Sequence, residues 1–188
     1  MMYYVNMLKI GITSRALFDL DDSHKVYEKK GLEAYRNYQI SRENITLKKG
    51  QAFSLVEKLL KFNDLSEENT VEVFLLSRNS TDTGLRIFNS IQHYGLDIKK
   101  AAFCSGSSPH IYANSFGTNL FLSTELEDCR SSLKCGIASA RILKSNNLSP
   151  ECQQLRVAFD ADSVIFSNES QIIFDNFGLI IKELKIKL

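Results

Sequence analysis

The sequence predicts an α/β protein: a three-layer, mainly parallel sheet with helices on both faces, plus an incomplete second repeat. Two observations lead there. Short apolar strands alternate with helix-period segments, which implies crossover connections and a sheet covered on both sides. Residues 157–182 also repeat the pattern of residues 10–35: strand, polar break, "ALF" or "VIF", acidic helix start, then Gly-Leu.

The elements follow in order. "MLKIGIT" (7–13) is a short apolar strand. Residues 21–44 read as a helix with acidic residues at its start, where the helix dipole favours them, and Gly31 interrupts it. Residues 51–63 place Phe53, Val56, Leu59 and Leu60 at helical spacing. "TVEVFLLS" (70–77) is a strand, and 80–95 a helix with Ser80 or Thr81 as cap and Gly95 as stop. In that helix Leu85, Phe88 and Ile91 are expected in the core, and His93 and Tyr94 close its end. A strand at 100–106 precedes a helix at 108–117, with Pro109 suited to the first turn. Strand 118–123, helix 125–136 and strand 137–143 complete the first region, 1–145. A polar linker, 146–154, leads to a last strand, "LRVAFD" (155–160), which opens the second region, 155–188.

Composition narrows the function classes. The chain has 188 residues, 44% hydrophobic and 24% charged, which suits a soluble globular protein able to bury a sizeable core. A net charge of +1 and scattered lysines give no footprint for nucleic acid or a membrane surface. Cys104, Cys129, Cys135 and Cys152 form no Cys-x-x-Cys pair, and His24, His93 and His110 lack a ligand spacing, so a zinc site is not expected. The start "MMYYVNMLKI" lacks the features of a signal peptide, and no apolar run approaches membrane-spanning length. The expected setting is the cytoplasm, with reduced thiols.

The strand ends carry the chemistry. They read Thr13-Ser14-Arg15, Ser77-Arg78-Asn79, Ser105-Gly106-Ser107-Ser108 and Ser123-Thr124. Active sites of parallel sheets lie beyond the carboxyl ends of the strands. Hydroxyls, backbone N–H groups and helix N-termini at that edge suit a phosphate, although Ser and Thr also cap helices for structural reasons alone. Four such loops at one edge favour a pocket for a phosphorylated ligand, with Ser77, Arg78 and Asn79 as candidates to hold it. Arg15 is expected to pair with Asp19 or Asp21 on the surface, or else to hold the phosphate.

In the last strand Asp160 and Asp162 stand at i and i+2. Such a pair suits phosphoryl transfer, with Asp160 attacking phosphorus and Asp162 acting as acid and then base. Both carboxylates would ligate a Mg²⁺, a hard cation that is often held by few carboxylates plus substrate phosphate.

"GITSRALFDLDDSHKVYEKKGLEAYRNYQ", "FLLSRNSTDTGLRIFNSIQHYGLDI", "NLFLS" and "QLRVAFDADSVIFSNES" together resemble the cytosolic 5′-nucleotidase I family, a branch of the haloacid-dehalogenase-like (HAD-like) phosphohydrolases. The resemblance spans most of residues 9–174. It implies a HAD-like Rossmannoid fold and Mg²⁺-dependent removal of the 5′-phosphate from nucleoside monophosphates such as AMP. It also implies Asp160 as nucleophile and Asp162 as acid/base. The family's chains look roughly twice as long, with a degenerate first half and a catalytic second half. The chain is therefore expected to be truncated after the start of the catalytic half, and the tail "IIKELKIKL" to be the product of a frameshift or premature stop.

There are further departures. Ala161 stands where the family usually has Gly. Thr13 and Arg15, or Ile12 and Ser14 in the other register, stand where the first half would carry aspartates. Ser77 fits the phosphate-holding hydroxyl, Pro109 or Ser115 falls at the Lys position, and Ser123-Thr124 replaces the metal-binding Asp pair. The reading implied by the family is an active 5′-nucleotidase. The alternative is a truncated, inactive relative that keeps nucleotide binding or subunit pairing. A dinucleotide-binding oxidoreductase ranks well behind, for want of a Gly-x-Gly-x-x-Gly. The strand at 155–160 would either add to the first sheet or expose an apolar edge, and residues 151–188 are expected to be the least stable part or to seed a homo-oligomer.

Overall fold

Ile10, Ile12, Val73, Leu75 and Leu122, all essentially inaccessible to solvent, line one face of a parallel sheet that organises the molecule. The computed structural model describes residues 7–65, 68–145 and 154–158, with 167, 169, 172, 175 and 176. By its internal contacts the chain divides into two units, Met1–Gln153 and Gln154–Leu188.

In the first unit the elements run β1 (Leu8–Thr13), α1 (Ser14–Leu17), β2 (Phe18–Asp19), α2 (Asp21–Ile40), β3 (Lys48–Lys49), α3 (Phe53–Leu60), a 3₁₀ turn (Lys61–Leu65) and β4 (Val71–Ser77). They continue as α4 (Thr81–His93), β5 (Lys100–Phe103), α5 (His110–Ser115), β6 (Leu120–Ser123), α6 (Leu126–Lys134) and β7 (Ala138–Arg141). The five-stranded sheet has the order β5-β4-β1-β6-β7, and every pairing in it is parallel. Register runs through Ile10, which sits opposite Val73 on one side and Leu120 on the other. This is the Rossmann-like α/β architecture that the alternation of strands and helices predicts.

Strand residues alternate between faces, and the packing follows that period. Odd positions of β4 (Val71, Val73, Leu75) join Phe53, Val56 and Leu60 of α3 and Ile87 and Ile91 of α4 in the larger core. Leu76 joins Phe121, Ala102, Ala113 of α5 and Ile137 in the smaller one, and Phe74 stacks on Phe116 at 5.0 Å. After β1 the chain fills β4 and β5 on one side, then crosses to β6 and β7 on the other. Such a reversal opens a crevice at the carboxyl ends of the strands around β1.

Several boundaries differ from the sequence reading. Helix α2 stops at Ile40 rather than 44, and Gly31 (φ +79°) bends it, a conformation that side chains with a Cβ rarely adopt. The helix expected at 51–63 is α3 followed by the 3₁₀ turn. Strand β5 ends at Phe103, and Pro109 sits at the N-cap of α5 rather than inside its first turn. Ser80 occupies the N-cap of α4, but its hydroxyl bonds the Asp82 carboxylate and the Thr83 hydroxyl instead of a backbone N–H.

Leu85 is 46% exposed and is not core, whereas Ile91 is buried and Phe88 packs at the rim of the core. Leu85 lies two residues from both buried Thr83 and buried Ile87, about 200° around a helix, so it faces away from the sheet. The hairpin of β2 and β3 was not foreseen; two-residue strands carry no readable period. The strand expected at 155–160 is also corrected: residues 155–158 have no regular structure, and residues 159 and 160 lie outside those described. A strand needs a partner ladder, and among the described residues none pairs with 155–158. In the second unit Glu169, Ile172, Asp175 and Asn176 are helical. No helix among the described residues is long and apolar enough to cross a membrane.

Candidate functional site

The carboxyl ends of β1, β4, β5 and β6 open into one cleft of about 1030 Å³. Its floor is formed by the strand-end loops: Thr13, Ser14 and Arg15; Arg78, Asn79 and Ser80; Ser105 and Gly106; and Ser123 and Thr124. The four loops singled out in the sequence therefore do converge. Helix α2 supplies a side wall with His24, Tyr27 and Tyr35.

The floor is rich in hydroxyls and poor in partners for them. Ser77, the last residue of β4, is fully buried beneath the cleft; its Oγ lies 3.0 Å from Ser14 Oγ and accepts the Asn79 N–H at 3.2 Å. Ser123 Oγ likewise accepts the Glu125 N–H at 3.1 Å. By contrast Thr13 Oγ1, Thr124 Oγ1 and Asn79 Nδ2 are buried with no hydrogen-bond partner. A buried polar group left unsatisfied costs about 1–3 kcal/mol, so three at one place mark a cradle that gains from an incoming hydrogen-bonding group.

A directed relay sets the Asn79 amide. Arg86 can only donate, and its Nη1 bonds Gln39 Oε1 at 3.2 Å. Gln39 Nε2 then donates to Tyr35 Oη at 3.1 Å, and Tyr35 Oη donates to Asn79 Oδ1 at 2.8 Å. The chain runs one way and leaves the Asn79 NH₂, a donor only, as the free end. Burial pushes the Tyr35 pKa up, which keeps its hydroxyl proton in place to donate. Desolvation moves Arg86 down from its ordinary value, but arginine starts so high that it remains charged.

Carboxylates surround the floor, but each is held. Arg15 Nη1 pairs with Glu125 Oε1 at 3.0 Å, and Arg36 with Asp82. Arg130 holds Glu127 at 2.8 Å. Arg78 pairs with Asp128, which is 1% exposed, and also bonds the Gly106 carbonyl at 2.9 Å. Ser108 Oγ donates to the same Asp128 oxygen at 2.7 Å. The hydrogen bond from Ser80 pulls the Asp82 pKa below the usual carboxylate range, with Arg36 adding to it. Arg15 thus pairs with neither Asp19 nor Asp21, because α1 turns its side chain towards the start of α6. Asp21 is taken by Lys144 instead. Among the described residues no three His, Cys, Asp or Glu side chains gather as a metal set, and each acid of the cleft is engaged by an arginine.

Of the predicted site residues, Ser77, Arg78 and Asn79 come together at this edge. Asp160 and Asp162 lie outside the described residues. Sequence reasoning missed the relay, although Tyr35 and Gln39 at i and i+4 on one helix were a readable signal. It also missed Asp128, which in the sequence looks like an ordinary acid of a first helical turn.

The 5′-nucleotidase family model matches residues 1–183, nearly the whole chain. The chain belongs to the 5′-nucleotidase family. It is 37% identical over 181 residues to human "Cytosolic 5′-nucleotidase 1B", an alignment that covers 93% of this chain and 30% of that protein. The chain thus spans less than a third of the length of that relative. The match runs through both the cleft of the first unit and the Asp160–Asp162 stretch.

Proposed function

We propose that the chain acts as a 5′-nucleotidase that hydrolyses nucleoside 5′-monophosphates such as AMP through an aspartyl-phosphate on Asp160. The observation that carries this is the family match extending through the Asp160-Ala161-Asp162 motif. Asp160 attacks phosphorus while the bond to the 5′-oxygen breaks, and Asp162 gives that oxygen its proton. Water then attacks the phosphorylated Asp160, with Asp162 taking the water's proton, and inorganic phosphate leaves. Asp160 and Asp162 are the residues we assign to Mg²⁺, which when bound offsets the charge of the phosphate. Ser77, Arg78 and Asn79 are assigned to binding the phosphate of a nucleoside monophosphate in the first unit's own strand-end cleft, supported by their place there.

The same reading divides the chain into a HAD-like first half (1–145), a linker (146–154) and the start of a catalytic half (155–188). It places the protein in the cytoplasm, in line with the printed name of the human relative. The order β5-β4-β1-β6-β7 around a central first strand supports the HAD-like assignment.

Phosphate release from AMP in the presence of Mg²⁺, measured for the chain beside Asp160→Asn, tests the proposal. Release by the parent and none by the variant is the expected result. Equal rates would overturn it.

A further inference from the structure

The cleft of the first unit has binding chemistry without the means to attack phosphorus. No carboxylate follows β1, and every acid lining the cleft is held by an arginine. Ser14 Oγ meets only Ser77 Oγ and Thr13 Oγ1 has no partner, while the carboxylate that Ser80 Oγ bonds, Asp82, is itself held by Arg36. The described histidines nearby are turned elsewhere, His24 to Glu28 at 3.3 Å and His110 to Ser108 at 2.8 Å. A hydroxyl without a partner base is a weak nucleophile at its own pKa.

We propose that this cleft, assembled from the first unit alone, binds a nucleoside 5′-monophosphate and holds it without attacking it. The ligand class rests on the 5′-nucleotidase reading; the existence of the site rests on the geometry. Asn79 Nδ2 can only donate, so its missing partner is an acceptor. Thr13 is 8% exposed, and its unpartnered hydroxyl lies one residue from Ser14 at the head of the β1 loop. Thr124 brings a third unpartnered polar atom to the same floor. A phosphate offers several acceptor oxygens to such a set.

Two guanidinium groups can reinforce it. The Arg15–Glu125 pair is 37% and 48% exposed, so an arriving anion can draw Arg15 away at little cost. Arg141 lines the rim, anchored by Nε to the Thr124 carbonyl at 3.1 Å, and no ion pair among the described residues engages it.

A bare phosphate would leave much of the cleft unused. Tyr27 packs edge-on to Tyr35 at 6.1 Å and lies nearly parallel to His24 at 6.2 Å, forming an aromatic wall along the same space. Tyr27 is 48% exposed, free to take a base on its face. Asp128 Oδ2, a buried acceptor without a partner, matches a donor such as a ribose hydroxyl rather than an anion. The volume of about 1030 Å³ accommodates a nucleotide.

Calorimetry on the chain in EDTA, so that nothing is turned over, tests the proposal with AMP, inorganic phosphate and adenosine as probes. AMP is expected to bind at least about tenfold tighter than either fragment. Asn79→Asp, which turns the free donor into a charged acceptor, is expected to weaken AMP at least about tenfold. Tyr27→Ala is expected to weaken AMP roughly fivefold or more while leaving inorganic phosphate unchanged. Circular dichroism checks that each variant is folded. AMP affinity that survives both cleft variants overturns the proposal. The two readings fail separately: absent phosphate release with cleft-dependent binding removes the chemistry but keeps the site, and the converse removes the site but keeps the chemistry.

Discussion

Residues 10–35 and 157–182 share a pattern, yet they differ where function is decided. The first carries Thr13-Ser14-Arg15 after its strand; the second carries Asp160-Ala161-Asp162. Hydroxyls and a guanidinium can hold an anion but cannot attack it unaided. Two carboxylates can do both halves of a phosphoryl transfer, one as nucleophile and one as acid and base. Within one repeated sequence pattern, two side chains therefore separate binding from chemistry.

The largest expected effect comes from the second segment. Asp160→Asn should lower phosphate release by about a millionfold, the scale seen when a nucleophile is removed. The same variant should leave the urea midpoint of the parent intact, because residue 160 belongs to the second unit and not to the first unit's core. A midpoint that shifts with it would break the comparison.

Next comes the core that positions the cleft. Phe18 is fully buried, with ring centroids 6.0 Å from Phe53 and 6.2 Å from Tyr94. Phe18→Ala should cost about 3–5 kcal/mol in urea unfolding. A loss below about 1 kcal/mol would mean that α1 and the short hairpin do not brace the β1 loop.

A smaller effect is expected at α4. A Cβ on Gly84 would meet Phe103 ring carbons at 2.2 and 2.4 Å, and that ring already packs edge-on against Phe88 at 5.5 Å. Gly84→Ala should destabilise by about 1–3 kcal/mol. No change would show that Phe103 swings aside freely.

The smallest effect is electrostatic. The hydrogen bond from Lys144 holds the Asp21 pKa below its ordinary 3.8. The folded value is depressed, so the pair's contribution is present above the unfolded pKa and fades as pH falls through the lower, folded value. With side chains 75% and 38% exposed the pair contributes little. Lys144→Ala should therefore lower the urea midpoint slightly at pH 6 and by less near pH 3. An equal difference at both would rule out the pair as its cause.

Much of the fold was legible because its signals are local. The apolar runs of β1 and β4 and the helical spacing of Phe53, Val56 and Leu60 each point to one structure, and the four strand-end loops could be placed at one edge from topology alone. What the chain hides is contact between distant residues. Nothing near Arg15 names Glu125 as its partner, 110 positions away, and nearby Asp19 and Asp21 looked better. Leu85 was placed in the core from its hydrophobicity, although its angle on the helix points outward. The relay from Arg86 to Asn79 crosses two helices and a loop, so only its Tyr35–Gln39 step could be seen in one segment.

The division between a first segment that holds phosphate and a second that cleaves it is tested most directly by trapping the covalent intermediate. The chain is mixed with nucleoside monophosphate labelled in its phosphate, quenched in acid and digested, and the labelled peptide is sequenced. Label on the peptide containing Asp160, released by hydroxylamine as an acyl phosphate, is the predicted result. Label on Ser14, Ser77 or any other residue of the first unit, or phosphate release with no label on Asp160, would contradict it.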